Sequence, residues 1–339
     1  MMFFASDVHR QHHCLELDDG ALVRSYEGPD RADLIANALT AAGHEPALPG
    51  PLDLELVGRV HAPEYIDLLQ SAWTRWTKRI DHGPAAMGFT WPTRGLHAVR
   101  PDDLIGQLGF HSFAADCSIV AGTWEAAASA ASIATSAADH LVQTGDVSFG
   151  LCRPPGHHAT RDQFGGYCYL NNAAIAAQHL RDSGMERVAV LDVDYHHGNG
   201  TQAIFWDRSD VLFVSLHADP KLEFPWFAGH ASEVGAHAGE GWNLNLPLPY
   251  GVDMAMYAEA LNVACDRIVD AGVDALVVSL GVDTYVDDPL GQFRLTTADF
   301  ARIATRVAAM KIPMIVLQEG GYATEAIGTN VASFLEPLS

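Results

Sequence analysis

Val188-Ala189-Val190-Leu191-Asp192-Val193-Asp194-Tyr195-His196-His197-Gly198-Asn199-Gly200 is the stretch on which the fold turns. An uninterrupted apolar run predicts a strand over residues 188–194, covered on both faces, with ligand-capable side chains crowding its C-terminal end. Residues two apart on a strand share a face, so Asp192, Asp194 and His196 are expected to point the same way. Carboxylate oxygens and an imidazole nitrogen from one strand end suit a divalent metal, and in an open site they suit catalytic zinc. The same residues also read as solvated acids before a turn over 198–200.

Three further strand ends carry the same signature. Residues 275–280, Ala-Leu-Val-Val-Ser-Leu, run into Gly281-Val282-Asp283, whose acid is either a third ligand or an ordinary cap. Residues 147–151 run into Cys152-Arg153-Pro154-Pro155-Gly156-His157-His158, where two prolines restrict the loop and adjacent imidazoles can act as a base and an electrostatic partner. Residues 314–318 run into Glu319-Gly320-Gly321-Tyr322, whose phenol can hydrogen-bond a carbonyl oxygen that gains charge, or simply pack. Each motif is ambiguous alone. Together they occupy the C-terminal ends of strands, where open α/β sheets place ligand sites.

Working outward, β-branched runs alternate with helical patterns, which predicts α/β architecture: a mainly parallel central sheet with helices on both faces, in one domain spanning 1–339. Strands are expected at 147–151, 188–194, 211–216, 276–280 and 314–318, and helices at 171–183, at 254–271 and after a cap at Thr297, with Phe300, Ile303, Ala304 and Val307 on one face. Residues 126–138 read as a packed helix and not as a membrane span. Residues 75–99, with Trp76, Trp91, Arg75, Arg79 and Arg94, show no period and read as a long ordered loop with the composition of a protein contact.

The 339 residues are 48% hydrophobic and 18% charged, which is globular. Twenty Lys and Arg against 42 Asp and Glu leave a net charge of −22, which argues against nucleic-acid and anionic-membrane partners and favours cationic ones. Five scattered cysteines without a C-x-x-C pair predict a reducing cytoplasm. The opening residues lack a basic n-region and an apolar h-region, so no secretory signal is expected.

The motifs R-P-P-G-H-H at 153–158, G-G-Y-C-Y-L-N-N at 165–172, D-V-D-Y-H-H-G-N-G at 192–200, S-L-G-V-D at 279–283 and E-G-G-Y at 319–322 resemble those of the histone deacetylase superfamily. The resemblance spans nearly the whole chain. It is nearest to the bacterial acetylpolyamine amidohydrolase branch, and it implies an arginase/deacetylase-like fold. It further implies a zinc-dependent deacetylase of a small acylated amine, with Zn(II), or Fe(II), on Asp194, His196 and Asp283. His158 would be the general base and then acid, His157 the electrostatic partner, and Tyr322 the polariser of the amide. Asp192 would orient His157, and Asn199 would orient His158. Gly166, Tyr167 and Phe224 would form a narrow tunnel. Structural K⁺ or Na⁺ would sit on Asp192, Asp194, His196, Ser215 and Leu216, with part of a second site on Phe205, Arg208 and Val211. An insertion at about 75–110 would narrow the tunnel mouth and build a homodimer.

One position departs from that branch: Ile105, before Gly106-Gln107-Leu108-Gly109, stands where those enzymes carry an acid. Asp116 and Glu16 match other acids of the branch and can attract a cation, whereas a neutral amide fits Ile105 better. An acetyl-lysine peptide is the other alternative substrate. A manganese ureohydrolase on this fold would need a two-metal cluster with more acids. A non-catalytic acyl-amine sensor is separated by a turnover assay.

Overall fold

The computed structural model describes residues Met1–Ser339. Ten strands and ten α-helices follow one another along the chain. The strands are β1 (Met2–Phe4), β2 (Leu15–Asp18), β3 (Ala21–Arg24), β4 (Glu45–Ala47), β5 (Ser148–Gly150), β6 (Val188–Asp192), β7 (Val211–Ala218), β8 (Asn243–Leu248), β9 (Ala275–Leu280) and β10 (Met314–Gln318). The helices are α1 (Asp30–Ala41), α2 (Leu54–Val60), α3 (Pro63–Thr77), α4 (Leu104–Phe110), α5 (Thr123–Thr144), α6 (Asn172–Asp182), α7 (Asn199–Phe205), α8 (Met254–Ala271), α9 (Thr297–Ala308) and α10 (Ile327–Leu335).

Eight strands form one sheet in the order β4-β1-β5-β10-β9-β6-β7-β8, every pairing parallel, and β2 with β3 makes a separate antiparallel hairpin. The pleat divides each apolar run between two cores. Val188 and Val190 of β6 join the core built with α2, α3, α5 and α6, whereas Ala189 and Leu191 join the one built with α1, α8, α9 and α10. That is why the run reads as continuous rather than alternating. Each fully buried Val or Leu contributes about 1.5–3 kcal/mol.

Local signals explain the helices. The Asp253 carboxylate accepts the Ala255 and Met256 N–H groups ahead of α8, and Gly272, at φ 62°, ends it. The cap of α9 is Thr296, one residue before the expected Thr297, because Asp299 reaches back to it in a reciprocal capping box. Asn171 caps α6, within one residue of the predicted start.

Three features differ from the sequence-based expectation. The strand expected over 188–194 stops at Asp192. There the Asp192 carboxylate takes the Asp194 N–H at 3.1 Å and the Asp194 carboxylate takes the His196 N–H at 2.9 Å, which curls the chain out of extension. The shared-face geometry proposed for Asp192, Asp194 and His196 therefore holds only up to the strand end. Second, β1 and β4 have three residues each, too few for a period, and β8 is an edge strand that tolerates Pro247. Third, the long loop is shorter than 75–99 suggests, because α3 continues through Thr77, and the wider insertion contains α4. Gly109 lies so close to the Thr90 carbonyl that a Cβ there would collide with it. Arg75 donates to Gln107 at 2.7 Å and Trp91 to Ser112 at 3.0 Å, so the insertion is tied down at both ends.

The neighbours β5, β10, β9 and β6 are consecutive across the sheet. Their C-terminal loops therefore emerge side by side.

Candidate active site

Beyond β6, the Val193 N–H still bonds the Ser279 carbonyl of β9, so the turn carrying Asp194 and His196 is held against the exit of β9. Asp283 closes the gap. Its Oδ1 accepts the Tyr195 N–H at 2.9 Å, and its Oδ2 lies 3.2 Å from His196 Nδ1. Asp194 Oδ2 accepts the Gly320 N–H at 2.8 Å. One donor atom from each of Asp194, His196 and Asp283 lies within 4.8 Å of the others. Both carboxylates are buried, and a Cβ on Gly281 or Gly320 would strike Asp194 Oδ2. Two acids and an imidazole pressed together out of water are costly without a cation, so this donor set fits a divalent metal.

Past β5, the Glu319 carboxylate accepts the Gly156 and His157 N–H groups at 2.7 and 3.2 Å and the Ser279 hydroxyl at 3.1 Å. The two imidazoles lie 4.0 Å apart between ring centres. His157 Nδ1 is 2.9 Å from Asp192 Oδ2, and His158 Nδ1 is 2.7 Å from Asn199 Oδ1. This difference in partner separates them. Burial opposes charge on His157, but Asp192 and Asp194 outweigh it and raise its pKa to about 10. Burial, followed by the charges of His157 and His196, holds His158 well below the usual imidazole range. A divalent cation beside them would lower both.

Past β10, Gly321 at φ 123° turns the chain so that the Tyr322 and Ala323 N–H groups reach Asp288 Oδ2 at 2.6 and 3.0 Å. The Arg31 guanidinium sits 4.8 Å from the Tyr322 ring centre and donates to the Glu319 carbonyl at 2.8 Å. Burial raises the Tyr322 pKa despite Arg31, which keeps the phenol a hydrogen-bond donor.

A pocket of 190 Å³ opens onto these groups, with His158, His196 and Tyr322 at one end and Tyr167, Phe224 and Leu290 on its walls. Phe224 stands edge-on to His158 at 5.0 Å, and Tyr167 edge-on to Tyr322 at 5.9 Å. Gly166, at φ 56°, presents bare backbone where a Cβ would strike the His158 ring. A roomier groove of 470 Å³, between residues 5–10 and α1, contains none of these side chains.

The structure thus brings together His157, His158, Asp192, Asp194, His196, Asn199, Asp283, Gly166, Tyr167, Phe224 and Tyr322. Asp116 also lines the pocket, but both its oxygens accept the Gly166 N–H, at 3.0 and 3.1 Å, and burial pushes its carboxyl up to about 7. Glu16 and Ile105 are not on the pocket wall. Glu16 stands behind Tyr167, accepting its phenol at 2.5 Å, because the β2–β3 hairpin packs outside that ring. Ile105 sits in the first turn of α4, where Asp103 caps its N–H. Ser215 and Leu216 are buried in β7 beside β6, while Phe205, Arg208 and Val211 bridge α7 to β7, with Arg208 paired to Asp210 at 2.7 Å.

Sequence reasoning missed Glu319, Asp288, Arg31 and Glu223. Glu319 carried the available signal, an acid at the end of a buried strand within a motif already singled out. The others lie in segments whose local pattern is ordinary.

The histone deacetylase domain model matches residues 25–338. The chain is 47% identical to acetylpolyamine amidohydrolase 1 of Pseudomonas aeruginosa, across 99% of this chain and 98% of that protein. It is 44% identical to the acetylpolyamine amidohydrolase of Mycoplana ramosa, across 100% and 99%. The crystal structure of acetylpolyamine aminohydrolase from Burkholderia pseudomallei superposes with a TM-score of 0.95 at 38% identity, covering 100% of this chain and 98% of that one. With the family model spanning almost every element described above, the chain belongs to the histone deacetylase domain family.

Proposed function

We propose that this protein is a metal-dependent amidohydrolase that removes the acetyl group from a small acetylated amine, most suitably an acetylpolyamine. The observation that carries the reading is the convergence of Asp194, His196 and Asp283 beside two imidazoles with different partners, at the end of a 190 Å³ pocket. The names of the full-length relatives support the substrate class.

Asp194, His196 and Asp283 would hold zinc, or iron(II), which when bound supplies Lewis acidity towards the amide carbonyl and makes water easier to deprotonate. His158, oriented by the neutral amide of Asn199, takes the proton of the attacking water and returns it to the leaving nitrogen. His157, paired with Asp192, carries positive charge and stabilises the developing anion. The Tyr322 phenol donates to the oxygen that becomes the oxyanion, its backbone anchored by Asp288. Tyr167 and Phe224 flank a methylene chain and keep water from the amide.

We assign the K⁺ or Na⁺ positions to the buried segments at Ser215 and Leu216 and at 205–211. The insertion makes a homodimer contact in this reading. Phe89, Leu96 and Val99 are exposed on it, and Arg94 lies 5.0 Å from the ring of Phe227, itself exposed three residues past Phe224. All five cysteines are buried and free, which supports a cytoplasmic location, and no helix is long and apolar enough to cross a membrane.

The test is kcat/KM for the zinc-loaded protein on a monoacetylated polyamine, an acetyl-lysine peptide and a neutral acetamide, with Asp283→Ala as blank. Preference for the polyamine is expected. Turnover of none of the three, with zinc bound, overturns the hydrolase assignment; preference for the neutral amide overturns the substrate.

A further inference from the structure

The pocket holds a second acid that the sequence reading never singled out. Glu223 lines it together with His196, Phe224, Asp116 and Gly166. It lies in a tight turn that begins at Asp219, whose carbonyl accepts the Glu223 N–H at 3.1 Å.

The carboxylate is aimed by its neighbours. Tyr195 donates to Glu223 Oε2 at 3.0 Å and Oε1 receives the adjacent Phe224 N–H at 3.1 Å, while the Tyr250 hydroxyl, 3.2 Å from Oε2, has a closer acceptor in the Leu222 carbonyl at 2.7 Å. A carboxylate offers about four acceptor sites, so one on Oε1 remains for a further donor. The other two acids near the pocket are committed differently. Asp116 spends both oxygens on the Gly166 N–H, and Glu16 is screened from the pocket by the Tyr167 ring that donates to it.

Tyr195 also sets a distance. Its backbone N–H bonds Asp283 within the candidate metal cluster, and its phenol bonds Glu223. Glu223 therefore stands no farther from Asp283 than one tyrosine with a hydrogen bond at each end, and it lines the same 190 Å³ pocket as His196, so an ammonium a few methylenes beyond the acetylated nitrogen stays within that pocket.

We propose that Glu223 is the residue that selects cationic substrates: its free acceptor site receives the ammonium nearest the acetylated nitrogen. The inference rests on the acetylpolyamine reading and deepens it. It also explains how the chain accommodates Ile105, because the charge that recognises the substrate comes from the wall carrying Phe224 and not from α4.

The experiment compares N-acetylputrescine with N-pentylacetamide, a neutral amide of similar length. In Glu223→Gln, which keeps the shape and one oxygen to accept the Tyr195 phenol, the ratio of the two kcat/KM values falls about tenfold, as loss of one charge-assisted contact predicts, and the fall lies in KM. An unchanged ratio overturns the proposal, and so does an equal loss on both substrates, which marks a structural role.

A second measurement needs no variant. In the unmodified protein, preference for the cation across monoacetylated diamines of increasing length peaks at one spacer. A preference independent of length assigns selectivity to the overall charge of −22 and overturns the role of Glu223. Calorimetric binding of both amides separates this proposal from the hydrolase reading. Binding of the cation that weakens in Glu223→Gln without any turnover sustains Glu223 and removes the hydrolase.

Discussion

The strand ends open onto the pocket, whereas the insertion loop at 78–103 contributes none of its lining, and the two are built by opposite rules. At the ends of β5, β6, β9 and β10, the acids Asp192, Asp194, Asp283 and Glu319 are all buried, and every one of them holds a backbone N–H. The insertion instead exposes Ile80, Phe89, Leu96 and Val99 and is pinned by a few side-chain bonds. The first region fixes what chemistry is available, because moving one of its groups leaves another unpaired. The second can change with little cost to the sheet, which makes it the region on which the proposed dimer contact is tested.

Breaking the rigid side has the largest effect. Asp283→Ala removes one of the three proposed metal donors along with the acceptor of the Tyr195 N–H. Dialysed protein is expected to lose its zinc and at least about a thousandfold in turnover, measured by metal analysis and initial rates. Retention of stoichiometric metal would count against Asp283 as a ligand.

Tyr322→Phe deletes one hydroxyl and leaves the backbone clamp on Asp288 intact. A drop of about 10²–10³ in kcat, with an unchanged melting temperature, is expected. Near-normal turnover removes the phenol from the mechanism.

On the insertion side, light scattering at micromolar concentration is expected to give a dimer, and Phe89→Glu with Leu96→Glu a folded monomer. A monomeric unmodified chain would leave the exposed apolar residues without their proposed cover.

The mildest change sharpens the boundary between the regions. Burial holds the Asp116 carboxyl near 7, above its unfolded value near 3.8. Folding therefore favours its protonated form, and the stability it contributes is present below about pH 4 and lost as the pH rises through about 7. Asp116→Asn does not titrate, so its melting temperature should gain on the unmodified protein by about 2 °C between pH 4 and 8. Solvent reaching this partly exposed group keeps the gain small. A difference that is flat with pH would contradict it.

Much of this was legible in the primary structure, for identifiable reasons. β6, β9 and β10 are covered on both faces, so their apolar runs are unbroken, and the motifs follow them directly. The pairings of Asp192 with His157 and Asn199 with His158 came from the family resemblance, and spacing alone left Asp283 open between a ligand and a cap. What stayed hidden depends on partners distant in the chain. Glu319 reaches back 163 residues to Gly156, and Glu16 turns out to serve Tyr167, 151 residues away, instead of facing the pocket. No periodicity reports such contacts. The two short strands β1 and β4 were invisible because three residues carry no alternation, although their neighbours in the sheet define them.

The Glu319 bracket has a consequence for how the protein breathes. One buried carboxylate ties the Gly156 and His157 amides to Ser279, and thereby joins the loops beyond β5 and β10 to β9. Those amides cannot reach water through a small local opening, since the carboxylate would be stranded in the core when they left it. Deuterium should therefore enter Gly156 and His157 only as fast as the whole sheet unfolds, while the amides of the insertion label early.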